Sequence, residues 1–190
     1  QRGKRWNTAL FLFLFTWLLF GAFVDTSDQR SYTLQHAGVE ALVERHTFTL
    51  GGSQTPLFAQ VGDTSSFNGK LFAAKQPGQF VAGAIPYQLL YWAGITYQTN
   101  YDLTSSLVTW GSSGLAGALI VVAIYLFGTI VLNLEKRTAM CGALLTGFGS
   151  MLFPYSGVPH HDVIASATLL WALYCIERSR NNHNAIPFLF

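Results

Sequence analysis

Charge is missing from long stretches of this chain. Asp, Glu, Lys and Arg are absent from residues 6–24, 76–101, 103–134, 138–161 and 163–176, and a helix needs about 20 apolar residues to cross the hydrocarbon layer of a bilayer. Only 11% of the 190 residues are charged while 51% are apolar, against about 25% charged in an ordinary soluble domain. Disorder and a polar linker are thereby excluded. A net charge of +2, with no Lys/Arg stripe interleaved with aromatics, excludes nucleic acid as a partner.

These windows predict an all-α integral membrane protein with a single membrane domain over residues 1–190. Four spans are expected, at about 6–24, 113–132, 139–155 and 159–176. Arg2, Lys4 and Arg5 resemble the basic start of a signal peptide, but the apolar run Thr8–Val24 is too long for one and no small-x-small cleavage site closes it. A retained anchor is expected. Residue 1 is Gln and the chain ends on the apolar run Ile186–Phe190, which reads as a processed or trimmed chain.

The polar stretch Asp25–Gly78 holds nine of the 20 charges. The segment Phe80–Ile95 is apolar but short and carries Gly83, Pro86 and Gln88. Basic residues flank the spans at Arg2/Lys4/Arg5, Lys136/Arg137 and Arg178/Arg180, and the positive-inside rule puts all three groups in the cytoplasm. An even number of crossings must separate successive groups. Residues 80–95 are therefore expected as an interfacial juxtamembrane helix with Tyr87, Tyr91 and Trp92 at the headgroup level. Both termini are then cytoplasmic, in a bacterial inner membrane, and the loop 25–112, with its short helices, is extracytoplasmic together with the turn Pro154–Asp162. Small residues at Gly114/Ala118, Ala139/Ala143, Gly147 and Gly149 suit close helix packing. Cys141 and Cys175 are expected near one cytoplasmic depth as packing residues without a disulfide.

Three polar groups can carry chemistry. Asp25, Asp28 and Arg30 follow the first span; such carboxylates hold a divalent cation, act as a base toward a hydroxyl, or simply mark a helix end at water. His160, His161 and Asp162 stand at the mouth of the last two spans, as a helix cap or as metal ligands. Lys75, before Pro77-Gly78, either meets a lipid phosphate or snorkels.

The order of these features resembles the N-terminal part of GT-C type glycosyltransferases, closest to bacterial membrane enzymes that use polyprenyl-phosphate sugars, relatives of the protein mannosyltransferases and aminoarabinose transferases. It is carried by the basic N-terminus and first span, Arg30-Ser31-Tyr32, the helical stretch Leu34–Glu44, the Asn68-Gly69 turn, Lys75-x-Pro77-Gly78, the Pro86-Tyr87 helix, and the run 147–174 with its Pro-Tyr turn and His-His-Asp. The likeness covers roughly residues 5–180. It implies Asp28 or Asp25 as the catalytic acid, Asp28, His161 and Asp162 around a divalent metal, and Lys75, with Arg30, as the contact to phosphate.

That family carries many more spans, and a transferase must enclose both donor and acceptor. For a chain of 190 residues the expected role is therefore a non-catalytic accessory or bridging subunit of a larger membrane complex, photosynthetic or respiratory for example. The alternative is a glycosyltransferase, or its N-terminal part, moving a sugar from a polyprenyl-phosphate donor on the extracytoplasmic face. Expected partners are membrane lipids, other membrane subunits and a polyprenyl-phosphate sugar. No histidine falls in the middle of a span, which argues against a haem or chlorophyll carrier, and no ionisable group lies deep in one, which argues against a transporter.

Overall fold

A computed structural model of the chain describes the backbone of residues 2–25 and 28–180; the side chains of 2–4, 28 and 29 fall outside that description. His183 and the tail Ile186–Phe190 therefore lie outside the described residues. The fold is mostly helical. Its elements are α1 (Arg2–Ala22), a 3₁₀ turn (Asp28–Tyr32) leading into α2 (Thr33–Glu44), a hairpin of β1 (Thr64–Phe67) and β2 (Lys70–Ala73), then α3 (Gly78–Trp92), α4 (Tyr101–Thr109), α5 (Leu115–Leu126), α6 (Lys136–Phe148), α7 (Leu152–Ser156) and α8 (His161–Arg180).

Two helical stretches among the described residues are long and apolar enough to cross a membrane: Arg5–Ala22 and the rod Tyr101–Val131. Four were expected, and the other two differ for separate reasons. Residues 139–155 do not form one helix. The 13-residue α6 reaches only about 20 Å at 1.5 Å per residue, and the chain turns at Gly149 before α7 starts. Helix α8 has 20 residues, but every 18-residue stretch of it carries three charges drawn from Asp162, Glu177, Arg178 and Arg180.

The rod begins at Tyr101, well before the expected residue 113. Asn100 caps it by accepting from the Leu103 amide at 3.1 Å, and its hydroxyls donate back to helix carbonyls, Ser106 to Asp102 and Ser112 to Val108, each at 2.7 Å. This satisfies polar groups that seemed to belong to a loop. Two wide π turns, Trp110–Gly114 and Phe127–Val131, interrupt it. At 31 residues the rod is about 46 Å long, longer than the ~30 Å hydrocarbon layer.

Around α5 the other helices are arranged by small residues and one tryptophan pair. Trp17 stacks on Trp110 with ring centroids 4.8 Å apart. Each indole N–H donates to the other residue's carbonyl, at 3.2 and 2.8 Å. Gly117 leaves room for Phe20 and Ser156, and Gly21 for the Trp110 ring. The end of α1 therefore meets the start of α5, and the two run antiparallel. Helix α6 is antiparallel to α5 as well, with Ala139 against Gly128 and Gly147 against Val121. Helix α8 runs along α5, the Trp171 indole donating to the Leu119 carbonyl at 3.1 Å.

The bundle thus has two chemically different ends. One carries the end of α1 and the 153–162 turn, joined where the Phe23 and Phe153 rings lie 5.2 Å apart. The opposite end carries Arg5, Lys136/Arg137 and Arg178/Arg180.

The stretch between α1 and the rod builds its own core from Leu34, Val39, Val43, Phe58, Tyr87, Tyr97 and Val108. Gly38 and Gly83 let α2 and α3 approach, with Phe80 over the first and Val39 over the second. Asn68 and Gly69 take φ of 50° and 73°, as a tight two-residue hairpin turn requires. Helix α3 starts two residues before the expected 80 and stops at Trp92, where Gly94 turns the chain at φ 78°. Of the expected interfacial aromatics, Trp92 is 74% and Tyr91 41% exposed, but Tyr87 is fully buried. Its hydroxyl finds an internal acceptor in Glu44, so burial leaves no polar atom unpaired.

Candidate functional site

The start of α2 and the segment after the hairpin enclose a cavity of about 610 Å³, within the ~300–1,000 Å³ usual for small-molecule sites. Its walls include Ser31, Tyr32, Thr33 and Gln35 on one side and Gly62, Asp63 and Lys75 on the other. The hairpin and the Pro77-Gly78 bend bring Lys75 there, and its ammonium pairs with the Asp63 carboxylate at 3.1 Å.

The 153–162 turn holds a second polar group. The rings of Tyr155, His160 and His161 form a stack, with centroid spacings of 4.2 and 5.0 Å. Asp162 reaches both imidazoles, 3.6 Å from His160 Nδ1 and 3.4 Å from His161 Nε2. The Asp162 amide also donates to His160 Nδ1, at 3.4 Å. Burial holds His160 below the usual histidine range; Asp162 opposes the shift, and His161 and Lys75 add to it.

No family model, characterised protein or solved structure matches this chain. The site has to be read from its own groups.

Of the residues singled out in the sequence, the structure brings His160, His161 and Asp162 together, while Lys75 lies in the cavity wall, paired with Asp63. Asp25 is exposed three residues past α1, at the same end of the bundle. Asp28 opens the 3₁₀ turn, and its side chain lies outside the described residues. Arg30 is used elsewhere: it pairs with Asp102 in the first turn of α4 at 3.6 Å, whereas its neighbours Ser31 and Tyr32 line the cavity.

A divalent metal was expected on Asp28, His161 and Asp162. Ligand atoms of His160, His161 and Asp162 do lie within 4.8 Å of one another. Two nitrogens and one oxygen suit zinc or another borderline divalent ion better than a hard, all-oxygen one, and the side chain of Asp28 lies outside the described residues.

A second polar network went unread in the sequence. Glu40 is 1% exposed, yet it accepts from the Arg45 guanidinium at 2.5 Å and from the Ser53 hydroxyl at 2.6 Å. Burial first, with help from Glu40, raises the Glu44 carboxyl despite its bond to Tyr87. Burial and Glu44 together raise the Tyr87 phenol. His36, fully buried, shares a 3.0 Å hydrogen bond with the Tyr97 hydroxyl, and burial lowers it to about 3. These groups tie residues 45–55 and α3 to the helix whose first turn lines the cavity. The spacing His36, Glu40, Glu44 places all three on one face of a helix, which was the available signal.

Proposed function

We propose that this chain holds the phosphate of a lipid-linked sugar in the cavity between the start of α2 and Lys75, as part of a GT-C-like membrane glycosyltransferase scaffold. The observation that carries this reading is the placement of Lys75 in the wall of a cavity of ligand size, opposite Ser31, Tyr32 and Thr33. An exposed ion pair such as Lys75–Asp63 is worth about 0.2–1 kcal/mol. A phosphate, with more charge and more acceptor oxygens, can displace the carboxylate.

In this reading α1 and the rod cross the inner membrane, α6–α7 and α8 complete the four spans, and the basic end is cytoplasmic. The cavity then opens extracytoplasmically. Transfer forms a bond from an acceptor hydroxyl oxygen to the anomeric carbon and breaks that carbon's bond to phosphate oxygen. The hydroxyl proton passes to Asp28 or Asp25, and the polyprenyl phosphate leaves with its charge held by Lys75.

The test uses the full chain in lipid nanodiscs, titrated with a short polyprenyl phosphate and the matching polyprenol. The phosphate is expected to bind about tenfold to a hundredfold more tightly, as a charged hydrogen bond allows, and Lys75→Ala to abolish the difference. Equal binding of the two lipids to the wild-type chain overturns the proposal.

The accessory-subunit reading has its own support in wide apolar faces, with Phe11 62%, Leu145 69% and Leu169 73% exposed, which partner helices can cover as lipid does. Isolation of a lone, monodisperse chain that binds polyprenyl phosphate counts against it.

A further inference from the structure

At the basic end of the bundle, far from the cavity just described, α5, α6 and α8 part to leave a second, wholly different recess. It measures about 270 Å³, at the small end for a ligand site, and suits a length of hydrocarbon chain. Phe127 and Leu132 from the last π turn, Gly142 from α6, and Leu170 and Leu173 from α8 line it. The recess has a structural cause. Gly128 and Ala139 approach closely, the Cβ of Ala139 standing 3.0 Å from where a Gly128 Cβ would be. Beyond that contact the π turn ends and Asn133, left-handed at φ 53°, turns the chain toward α6. A Cβ added at Gly142 would meet nothing within 4 Å.

The helix that forms one wall begins with Lys136 and Arg137, both exposed, one turn before Ala139 and Gly142. Arg178 and Arg180 end the opposite wall, α8, and Arg5 stands in the first turn of α1 at the same end. Glu135 and Glu177 are the acids there, and Glu177 pairs with Arg180 at 2.9 Å. A greasy slot under an excess of cations has the two halves of a phospholipid's chemistry. Basic pockets between helices at the cytoplasmic side hold anionic headgroups in this way.

We infer that this recess binds an anionic phospholipid, one acyl chain lying against Phe127 and Leu173 and the headgroup phosphate meeting Lys136 and Arg137. The site is independent of the polyprenyl-phosphate reading, because it lies at the other end of the bundle and uses none of the same residues.

The experiment is native mass spectrometry of the full chain released from vesicles of equimolar phosphatidylglycerol and phosphatidylcholine. The wild-type chain is expected to retain phosphatidylglycerol about 30-fold over phosphatidylcholine, the effect of two headgroup-level cations. Changing Lys136→Gln and Arg137→Gln together should remove that preference while leaving the fold unchanged. Gly142→Leu fills the recess from an open position and improves helix propensity, so it should release both lipids. Equal retention of the two lipids by the wild-type chain overturns the inference, as does a preference that survives the double substitution. Retention by Gly142→Leu, or a lipid-free mass of two copies sealing the recess, overturns it as well.

Discussion

Acid should loosen the α2–α3 core, and His36 sets the amount. Its ring is fully buried beside Tyr97 and Tyr101, and burial holds it neutral down to about pH 3 against 6.5 for the free side chain. When the core opens, the imidazole regains its ordinary affinity for a proton. Between pH 6.5 and 3 the open state thus binds more protons than the closed one, so stability is present above pH 6.5 and is lost as pH falls. From pH 7 to pH 5 the loss is about 2 kcal/mol at 1.36 kcal/mol per unit, or about 30-fold in the opening equilibrium. Glu44, raised by burial, acts in the opposite sense: the closed state takes up its proton more readily, which favours closure as pH falls through the raised value. A comparison with His36→Gln cancels that contribution. The assay is amide hydrogen exchange of Val39–Val43 in the full chain at both pH values, corrected for intrinsic rates. Protection should fall about 30-fold in the wild-type chain and far less in His36→Gln. Equal pH dependence in the two proteins, or none in the wild type, refutes the reasoning.

Arg45→Ala leaves the Glu40 carboxylate buried without its partner and should cost about 3–5 kcal/mol; a chemical denaturation series that adds Glu40→Gln on top should recover much of it. Tyr87→Phe removes the hydrogen bond to Glu44 and should destabilise the core by about 1.5–3 kcal/mol. Trp92→Ser, on the exposed face of the same helix, should change stability by no more than about 0.5 kcal/mol in detergent, and equal losses for the two contradict their assignment to opposite faces. Gly38→Ala drives a methyl to within 2.7 Å of the Phe80 ring and should cost about 1–3 kcal/mol, read as a lower melting temperature. Chelation of divalent ions should leave polyprenyl-phosphate binding within about twofold, since Lys75 supplies the positive charge in the cavity wall; a larger loss restores the metal reading.

Much of the architecture was legible because it depends on local composition. Uncharged windows marked α1 and α8, Asn68-Gly69 marked the hairpin, and Leu34–Glu44 marked α2 to within one residue. Helix ends were less legible. The hydroxyls of Ser106 and Ser112 looked like loop chemistry, yet donation to carbonyls four residues back lets the rod run through them. Gly149, a small residue suited to close packing, proved to be where α6 stops.

Partnerships across the chain were not legible at all. Arg30 meets Asp102 and Tyr87 meets Glu44, over separations of 72 and 43 positions. Where charge is tolerated is a property of each residue and its near neighbours, since solvation acts group by group; the membrane-like character and the basic end could therefore be read from the string of residues. Which opposite charge or hydroxyl a group finds depends on how distant segments pack. Gly38, Gly83 and Gly117 permit that packing by what they lack, and a missing side chain shows its purpose once the ring that fills the space is in place.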